Sequence, residues 1–225
     1  METVDPTVSF SEYAQANPYY RKYNSAGEIE KYLYYPEDGI NDSSVSNPLW
    51  NAHLNNYNKG QEFGFTNNFI IEWFATHDFR LRAKFGLTKS DDTSDVRLSP
   101  LHSQFDDVSD TEKGLYTHTQ TKGLVYEGDL AATFGRLFAD KHMVNAVAGF
   151  NFSSTKRENY GFSANGFTDD QFDSPSFANS YPNGESPDYS RTEKRAASFY
   201  INGGYAYDNR YLLDFNYRSD GASMF

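Results

Sequence analysis

Residues 79–88 read Phe-Arg-Leu-Arg-Ala-Lys-Phe-Gly-Leu-Thr, and this stretch decides the fold class. Its odd-numbered positions are apolar, whereas positions 80, 82 and 84 carry positive charges. Because successive side chains of a β-strand point to opposite faces, the stretch predicts a strand with one apolar face and one charged face. Such strands are typical of membrane β-barrels, which have lipid on the outside and water in the lumen.

The alternation returns along the chain and predicts a series of hairpins. The predicted strands lie at about residues 63–75, 79–89, 114–138, 143–156, 195–207 and from 211 onward. Short turns at 75–78, 139–142 and 208–210 alternate with long polar loops at 90–112 and 157–194. The sequence therefore predicts an all-β fold of antiparallel up-and-down strands. These form part of a large transmembrane β-barrel with long extracellular loops.

The alternation alone does not say which face is the outside, because a soluble β-protein would bury the apolar face. Large aromatic residues near predicted strand ends, such as Trp73, Tyr126 and Tyr211, favour lipid contact, since aromatic girdles mark both membrane interfaces. The polar face mixes charged residues with Asn and Gly, which suits a hydrated lumen. The alternatives are a soluble all-β carbohydrate-binding module and a surface adhesin or structural β-protein.

Composition excludes several other classes of protein. The formal net charge of -11 disfavours a nucleic-acid partner, because such affinity comes largely from Lys and Arg on phosphates. The chain has no cysteine, so it forms neither a disulfide scaffold nor a thiolate metal site. It has no apolar run of about 18 residues, so no transmembrane helix is expected.

Three stretches resemble one family of outer-membrane proteins. The most specific is residues 207–225, Tyr-Asp-Asn-Arg-Tyr-Leu-Leu-Asp-Phe-Asn-Tyr-Arg-Ser-Asp-Gly-Ala-Ser-Met-Phe. The others are residues 13–20, Tyr-Ala-Gln-Ala-Asn-Pro-Tyr-Tyr, and residues 47–52, Asn-Pro-Leu-Trp-Asn-Ala, followed by Phe-Thr-Asn-Asn-Phe at 65–69. They resemble the SusC-like (RagA-type) TonB-dependent transporters, in which Ser is commoner at the position of Ala222.

The resemblance implies a barrel of about 22 strands with an N-terminal plug. It implies a location in a Bacteroidetes-type Gram-negative outer membrane, in contact with lipid, and a SusD-like surface lipoprotein as a lid. TonB would drive import of glycan or peptide oligomers. Residues 1–225 would be an internal part of the barrel, with 1–62 an extracellular loop region and 63–225 about six strands. We expect the plug and the remaining barrel to be absent, since residues 1–6 do not form a signal peptide.

Two groups of residues are candidates for contact with a transported molecule. Aromatic side chains in the long loops can stack on sugar rings or on peptide side chains, and their rival role is to pack the loops. These are Phe162, Phe167, Phe172, Phe177, Tyr181, Tyr189 and Trp50. Charged residues on the polar strand faces are predicted to face the lumen, where their rival role is cross-strand charge pairing. These are Glu72, Arg80, Arg82, Lys84, Glu127 and Asp129.

The chain shows no pattern typical of an enzyme. Its five histidines are scattered without metal-ligand spacing, and we find no phosphate-binding glycine loop and no Gly-x-Ser-x-Gly sequence. The acidic residues between 91 and 110 do not match a calcium-binding loop. We therefore expect no catalytic residue, no metal and no cofactor.

Overall fold

A computed structural model describes residues 2–5, 14, 18–34 and 45–224, with backbone alone for residues 2–5 and 34. Four positions of the 13–20 stretch, and Phe225 at the end of the 207–225 stretch, lie outside the described residues. The first elements are β1 (Glu2–Asp5), β2 (Arg21–Tyr23), β3 (Ile29–Tyr34) and the short helix α1 (Pro48–His53). Six long strands follow: β4 (Tyr57–Phe74), β5 (Phe79–Leu98), β6 (Leu115–Phe138), β7 (His142–Asn165), β8 (Asp188–Tyr207) and β9 (Tyr211–Met224).

Four long strands reach further into the polar segments than the alternation predicts. The predicted loop region 1–62 is wrong over its last six residues, because β4 begins at Tyr57. The predicted loop 90–112 is wrong over its first nine residues, because β5 continues to Leu98. The predicted loop 157–194 is wrong at both ends, because β7 continues to Asn165 and β8 begins at Asp188. Backbone hydrogen bonds hold these extensions as strands. Most side chains in the extensions of β5 and β8 are polar, so apolar alternation does not reveal these extensions. The extension of β7 continues the apolar alternation with Tyr160, Phe162 and Ala164.

One sheet contains β1 and the six long strands, in the order β1-β4-β5-β6-β7-β8-β9, and β2 and β3 form a separate pair. Strand β1 pairs antiparallel with β4, from Glu2 opposite Gln61 to Asp5 opposite Asn58. Strands β8 and β9 pair without a break from Lys194 opposite Met224 to Tyr207 opposite Tyr211. Apart from β1, neighbours in the sheet are neighbours in the chain, as in an up-and-down meander.

The short turns have the geometry that tight hairpins prefer. Asp208 and Asn209 both have positive φ, and the Arg210 amide donates to the Tyr207 carbonyl at 2.9 Å. This is a type I′ turn, whose twist matches that of the flanking strands. Ala139 and Asp140 repeat the pattern with φ of 49° and 52°.

The chain divides into two compact units, and β4 to β8 contribute residues to both. Unit 1 comprises residues 1–62, 92–120 and 160–189. It contains α1 and two short 3-10 turns at Ser103–Phe105 and Pro175–Phe177. Its buried side chains include Leu33 and Phe167 and the polar residues Asn47, Asn51 and Arg97.

Unit 2 comprises residues 63–91, 121–159 and 190–225, and it exposes most of its large apolar side chains. Phe69 on β4 is 57% exposed and Phe150 on β7 is 45% exposed. Ile71 and Phe85 are similarly exposed, so these side chains do not meet in a closed interior. A soluble β-domain would bury this face, and the exposure therefore favours the membrane alternative. No helix within the described residues is long and apolar enough to cross a membrane.

Candidate functional site

A buried arginine holds the long connections of unit 1 together. The Arg97 side chain is fully buried, and its guanidinium donates to the backbone carbonyls of Asn55, Asp170 and Phe172, the last two at 2.9 Å. The Asp170 carboxylate lies 3.9 Å from Arg97 Nη1 and accepts the Asn55 backbone N–H at 3.2 Å. One residue of β5 thus fixes the chain before β4 and the connection between β7 and β8.

Phe167 belongs to the core of this assembly. Its ring is buried, it lies 5.9 Å from the Arg97 guanidinium, and it fills the space beside Gly114. Gly114 has a φ of +77°, and a Cβ there would lie 3.2 Å from Phe167 Cβ, so a side chain would be both strained and crowded. Phe167 therefore packs the loop, which was the alternative to contact with a transported molecule.

The other loop aromatics are more accessible. Phe172 and Phe177 stack with centroids 4.7 Å apart, and both keep a large part of their surface exposed. Tyr181 and Tyr189 are also exposed. We refer to these four residues as the loop aromatic group.

The stretch 47–52 folds into α1 and fastens it to the rest of unit 1. Asn47 is the buried N-cap, and its amide donates to the carbonyls of Lys22 and Glu30. Pro48 follows in the first helical turn, where its missing N–H costs nothing. Trp50 donates its indole N–H to the Leu101 carbonyl at 3.0 Å, so this predicted contact residue has a packing role in unit 1.

Phe162 lies in β7 rather than in a loop, and it joins a cluster around Asp95. The Asp95 carboxylate accepts the Tyr116 hydroxyl at 2.5 Å and lies 2.7 Å from His118 Nδ1. The Phe162 ring packs on both Tyr116 and His118. Burial, followed by the hydrogen bond to Asp95, raises the pKa of Tyr116 well above its usual value, so its hydroxyl remains a donor at physiological pH.

The polar face of unit 2 brings several predicted lumen residues together. Lys84, Glu127 and Asp129 line a groove of about 590 Å³, together with Asn68 and Asn151. A Cβ at Gly86 would lie 3.0 Å from both Asn68 Oδ1 and Glu127 Cγ, so the glycine lets these side chains cross its strand. The groove presents both signs of charge within one small area.

A further group of polar residues lies beside this groove. Tyr200 lies within electrostatic range of Asp129, Arg82 and Arg218. Its ring occupies the space above Gly149, where any Cβ would overlap it. We call Arg82, Asp129, Tyr200 and Arg218 the polar-face cluster.

Two side chains extend this cluster across β7, β8 and β9. Ser198 is buried and hydrogen-bonds Asn151, and it also lies 3.5 Å from Arg218 Nη2. Arg218 in turn donates through Nε to Asp220 at 2.9 Å. Sequence reasoning missed Tyr200 and Arg218 as candidates. Their positions alternate with apolar neighbours on β8 and β9, and this signal would have identified them.

Two predicted lumen residues lie apart from this cluster. Glu72 is exposed on β4, and Arg80 is partly buried near the start of β5. Both occupy even-numbered positions of their strands, as Arg82 and Lys84 do, so strand alternation assigns them to the polar face. Within the described residues, no group of three or more His, Asp or Glu side chains is arranged to hold a metal ion.

Comparison with known proteins identifies what this arrangement resembles. No protein-family model matches the chain. A curated relative, TonB-dependent receptor P26 of Formosa agariphila, is 25% identical over 244 aligned positions, which cover 97% of this chain and 22% of the relative. The predicted resemblance to the SusC-like TonB-dependent transporters is confirmed. The chain spans about a fifth of the length of this curated relative.

Solved structures of a SusC-like transporter share the fold. The RagAB peptide transporter matches with a TM-score of 0.63 and 16% identity, covering 89% of this chain and 21% of that chain. The RagAB peptide importer matches with a TM-score of 0.64 in its open-open state and 0.65 in its closed-closed state. Those matches have 17% and 16% identity, and each covers 90% of this chain, with 21% and 22% of the other chain. The predicted fold class, antiparallel β-strands forming part of a large transmembrane barrel, is confirmed.

Proposed function

We propose that this chain forms part of the barrel wall of an outer-membrane TonB-dependent transporter that imports glycan or peptide oligomers. One observation carries the proposal. In unit 2, strands that expose large apolar side chains also bear the polar groove and the polar-face cluster. This is the arrangement that a wall between lipid and a water-filled lumen requires. The related proteins are described as a receptor and as transporters, which supports transport rather than catalysis.

The chemistry of the polar face supports an oligomeric, polar cargo. Arg82 and Arg218 supply planar donors, whereas Glu127 and Asp129 supply acceptors. Such a set can bind peptide backbones and termini, and it can equally bind sugar hydroxyls. The description of RagAB as a peptide importer supports the first of these cargoes.

We propose that the loop aromatic group contacts cargo or a SusD-like lipoprotein at the outer surface. Exposed aromatic rings on ordered loops supply large contact areas at low entropic cost, and they are enriched in protein interfaces. The Arg97 contacts hold the loop that carries Phe172 and Phe177. TonB is the proposed source of energy for import.

Uptake by cells tests the proposal. Cells that express the full-length transporter containing this chain should accumulate labelled oligopeptides or oligosaccharides, and a protonophore or loss of TonB should abolish accumulation. Arg82→Gln combined with Asp129→Asn should reduce uptake at least tenfold. Arg136→Gln is the matched control, because Arg136 pairs with Asp78 near the short turns and should leave uptake unchanged. Uptake that persists in a strain lacking the protein would refute transport.

Reciprocal purification tests the partner. Tagged full chain, solubilised from outer membranes, should co-purify with a SusD-like lipoprotein. Tyr181→Ser with Tyr189→Ser should weaken this association, whereas Tyr23→Ser, an exposed tyrosine on β2, should not. Equal recovery with all variants would exclude the loop aromatic group from the interface.

A further inference from the structure

A charged cluster lies on the apolar face of unit 2, where a bilayer-facing surface would be expected to be uncharged. It occupies the halves of β6, β7 and β8 that lead to the long connections. These three strands are consecutive in the sheet. Strand alternation assigns its residues to the same face as Tyr126, Phe152 and Phe199. The cluster comprises Lys122, Lys156, Glu158, Arg191, Glu193 and Arg195, four basic residues and two acidic ones.

The two carboxylates lie between the cations and fix their positions. Glu158 is 2.8 Å from Lys156 Nζ and 4.0 Å from Arg191 Nε. Glu193 is 3.3 Å from Arg191 Nη2 and accepts from Arg195 Nε at 2.7 Å. The hydrogen bond from Lys156 lowers the pKa of Glu158, and that from Arg195 lowers the pKa of Glu193, so both remain ionised.

Exposure shows which charges a ligand would meet. The Arg191 and Arg195 side chains are 50% and 59% exposed, whereas that of Glu193 is 16% exposed. The surface of the cluster is therefore positive, in a chain whose formal net charge is -11. The two guanidinium groups lie on the same face of one strand, on either side of Glu193, and arginine binds phosphate bidentately.

The cluster lies at the height expected for lipid headgroups. On β8 the same-face residues are apolar or aromatic from Ala197 to Tyr207, with Gly203 the one exception, and charged at positions 195, 193 and 191. Ten residue steps span about 33 Å along a strand, or about 25 Å along the membrane normal at the usual tilt of about 40°. At the opposite end of this run, Tyr207 contacts His142 and stacks on Tyr211, as expected for an aromatic girdle.

A groove for an apolar chain begins beside the cluster. It has a volume of about 640 Å³ and is lined by Arg195 itself, by Tyr126 and Phe152, and by the small residues Ala197 and Gly221. Small side chains lower the floor of the groove, while the two aromatic rings form its wall. Arg195 thus belongs both to the positive surface and to the apolar groove.

We infer that the cluster and groove bind a phosphorylated lipid of the outer leaflet. Arg191 and Arg195 hold a headgroup phosphate, and an acyl chain occupies the groove between Phe152 and Gly221. The inference goes beyond transport and needs only that unit 2 lies in a membrane. Charge complementarity selects the occupant: a positive surface directly above an apolar groove fits an anionic amphiphile.

Native mass spectrometry of the detergent-solubilised full chain tests the inference, with diphosphoryl lipid A as the probe. The wild-type protein should retain the probe, and Arg191→Gln with Arg195→Gln should weaken its apparent affinity at least tenfold. Arg136→Gln is the matched control, because it also removes an ion-paired arginine from β6, near the short turns. The control should bind within twofold of wild type.

A second comparison keeps the lipid proposal testable without any variant. Lipid A from which the phosphates have been removed should bind the wild-type protein at least tenfold more weakly. Raising the salt concentration should also weaken binding of the phosphorylated probe. Equal binding of the two lipids, or of wild-type and double-variant protein, would overturn the inference. Loss of lipid binding with normal uptake would separate this site from the proposed transport.

Discussion

Unit 1 buries polar side chains and unit 2 exposes apolar ones, although β4 to β8 contribute to both. In unit 1, Arg97, Asn47 and Asn51 are buried and hydrogen-bonded to neighbouring segments. In unit 2, Phe69, Phe150 and Leu213 remain exposed. Water-exposed loops are held by specific polar contacts because they have little apolar surface to bury, whereas strands in lipid need no buried core. The same β-sheet therefore contributes strands to a unit that is stabilised by polar contacts and to a unit whose exposed apolar surface suits lipid.

We expect the largest loss of stability when the Arg97 contacts in unit 1 are removed. Arg97→Ala would leave the carbonyls of Asn55, Asp170 and Phe172 without their donor, at an expected cost of about 3–5 kcal/mol. Limited proteolysis should then cut within residues 166–187, while the strands of unit 2 stay protected. Arg136→Ala, which removes an exposed arginine, should leave the pattern unchanged. Full protection of the loop in Arg97→Ala would show that apolar packing alone holds it.

Introducing a charge on the apolar face of unit 2 tests whether that face contacts lipid. Phe150→Arg should lower the free energy of unfolding in lipid by about 2–4 kcal/mol, because the arginine would lie at membrane depth. Asn145→Arg, on the opposite face of β7, should cost much less. Urea unfolding of the full chain in vesicles measures both values. Similar small costs for the two variants would mean that water wets both faces.

Close packing on the polar face predicts an effect of intermediate size. Gly149→Ala would place a methyl group in the space of the Tyr200 ring and displace it from Asp129, at a cost of about 1–3 kcal/mol. Gly203→Ala is the matched control, since a Cβ there has nothing within 4 Å. Urea midpoints and uptake rates should fall for the first variant alone. Equal behaviour of the pair would argue against a functional role for the position of Tyr200.

We expect the smallest effect from lowering the pH, which acts on His102 in unit 1. Burial, followed by the charge of Lys31, lowers the pKa of His102 below its usual 6.5, and Nδ1 of its ring accepts the Gln104 N–H at 3.2 Å. A depressed pKa means that the stabilising contribution is complete above about pH 6.5 and is lost as the pH falls through the folded-state value. Residues 99–114 should therefore become more sensitive to protease in urea at pH 5 than at pH 7.5.

A non-titrating cap provides the control for this pH effect. His102→Asn keeps an acceptor for the Gln104 N–H but carries no charge at either pH. The difference in protease sensitivity between pH 5 and pH 7.5 should shrink in this variant. An undiminished difference would assign the effect to another group.

Local sequence signals predicted the features that depend on neighbouring residues. The turn at 208–210 follows from Asp208 and Asn209, which tolerate positive φ, and β9 begins at Tyr211 as predicted. The turn after Phe138 was also predicted, yet Ala139 has positive φ there without the usual Gly, Asn or Asp. In that case the pairing of the flanking strands imposes the turn on an unfavourable residue.

The local sequence contains no comparable signal for contacts between segments that are far apart in the chain. Arg97 stood in a predicted acidic loop, and nothing near it in sequence indicated that residues 55, 170 and 172 would supply its acceptors. Phe167 and Phe172 looked equivalent as loop aromatics, but one is buried and the other is exposed. Which aromatic reaches solvent depends on how the loop closes, and that depends on Arg97.

The sequence by itself determined the fold class, because a two-residue alternation is a property of the extended chain and needs no partner. It also determined the resemblance to SusC-like transporters, through residues 207–225 in particular. Only the tertiary structure decided where the strands end, which loop aromatics are exposed, and that Arg82, Asp129 and Tyr200 form one cluster. These features arise from hydrogen bonds and close approaches between segments far apart in the chain, which local patterning does not encode.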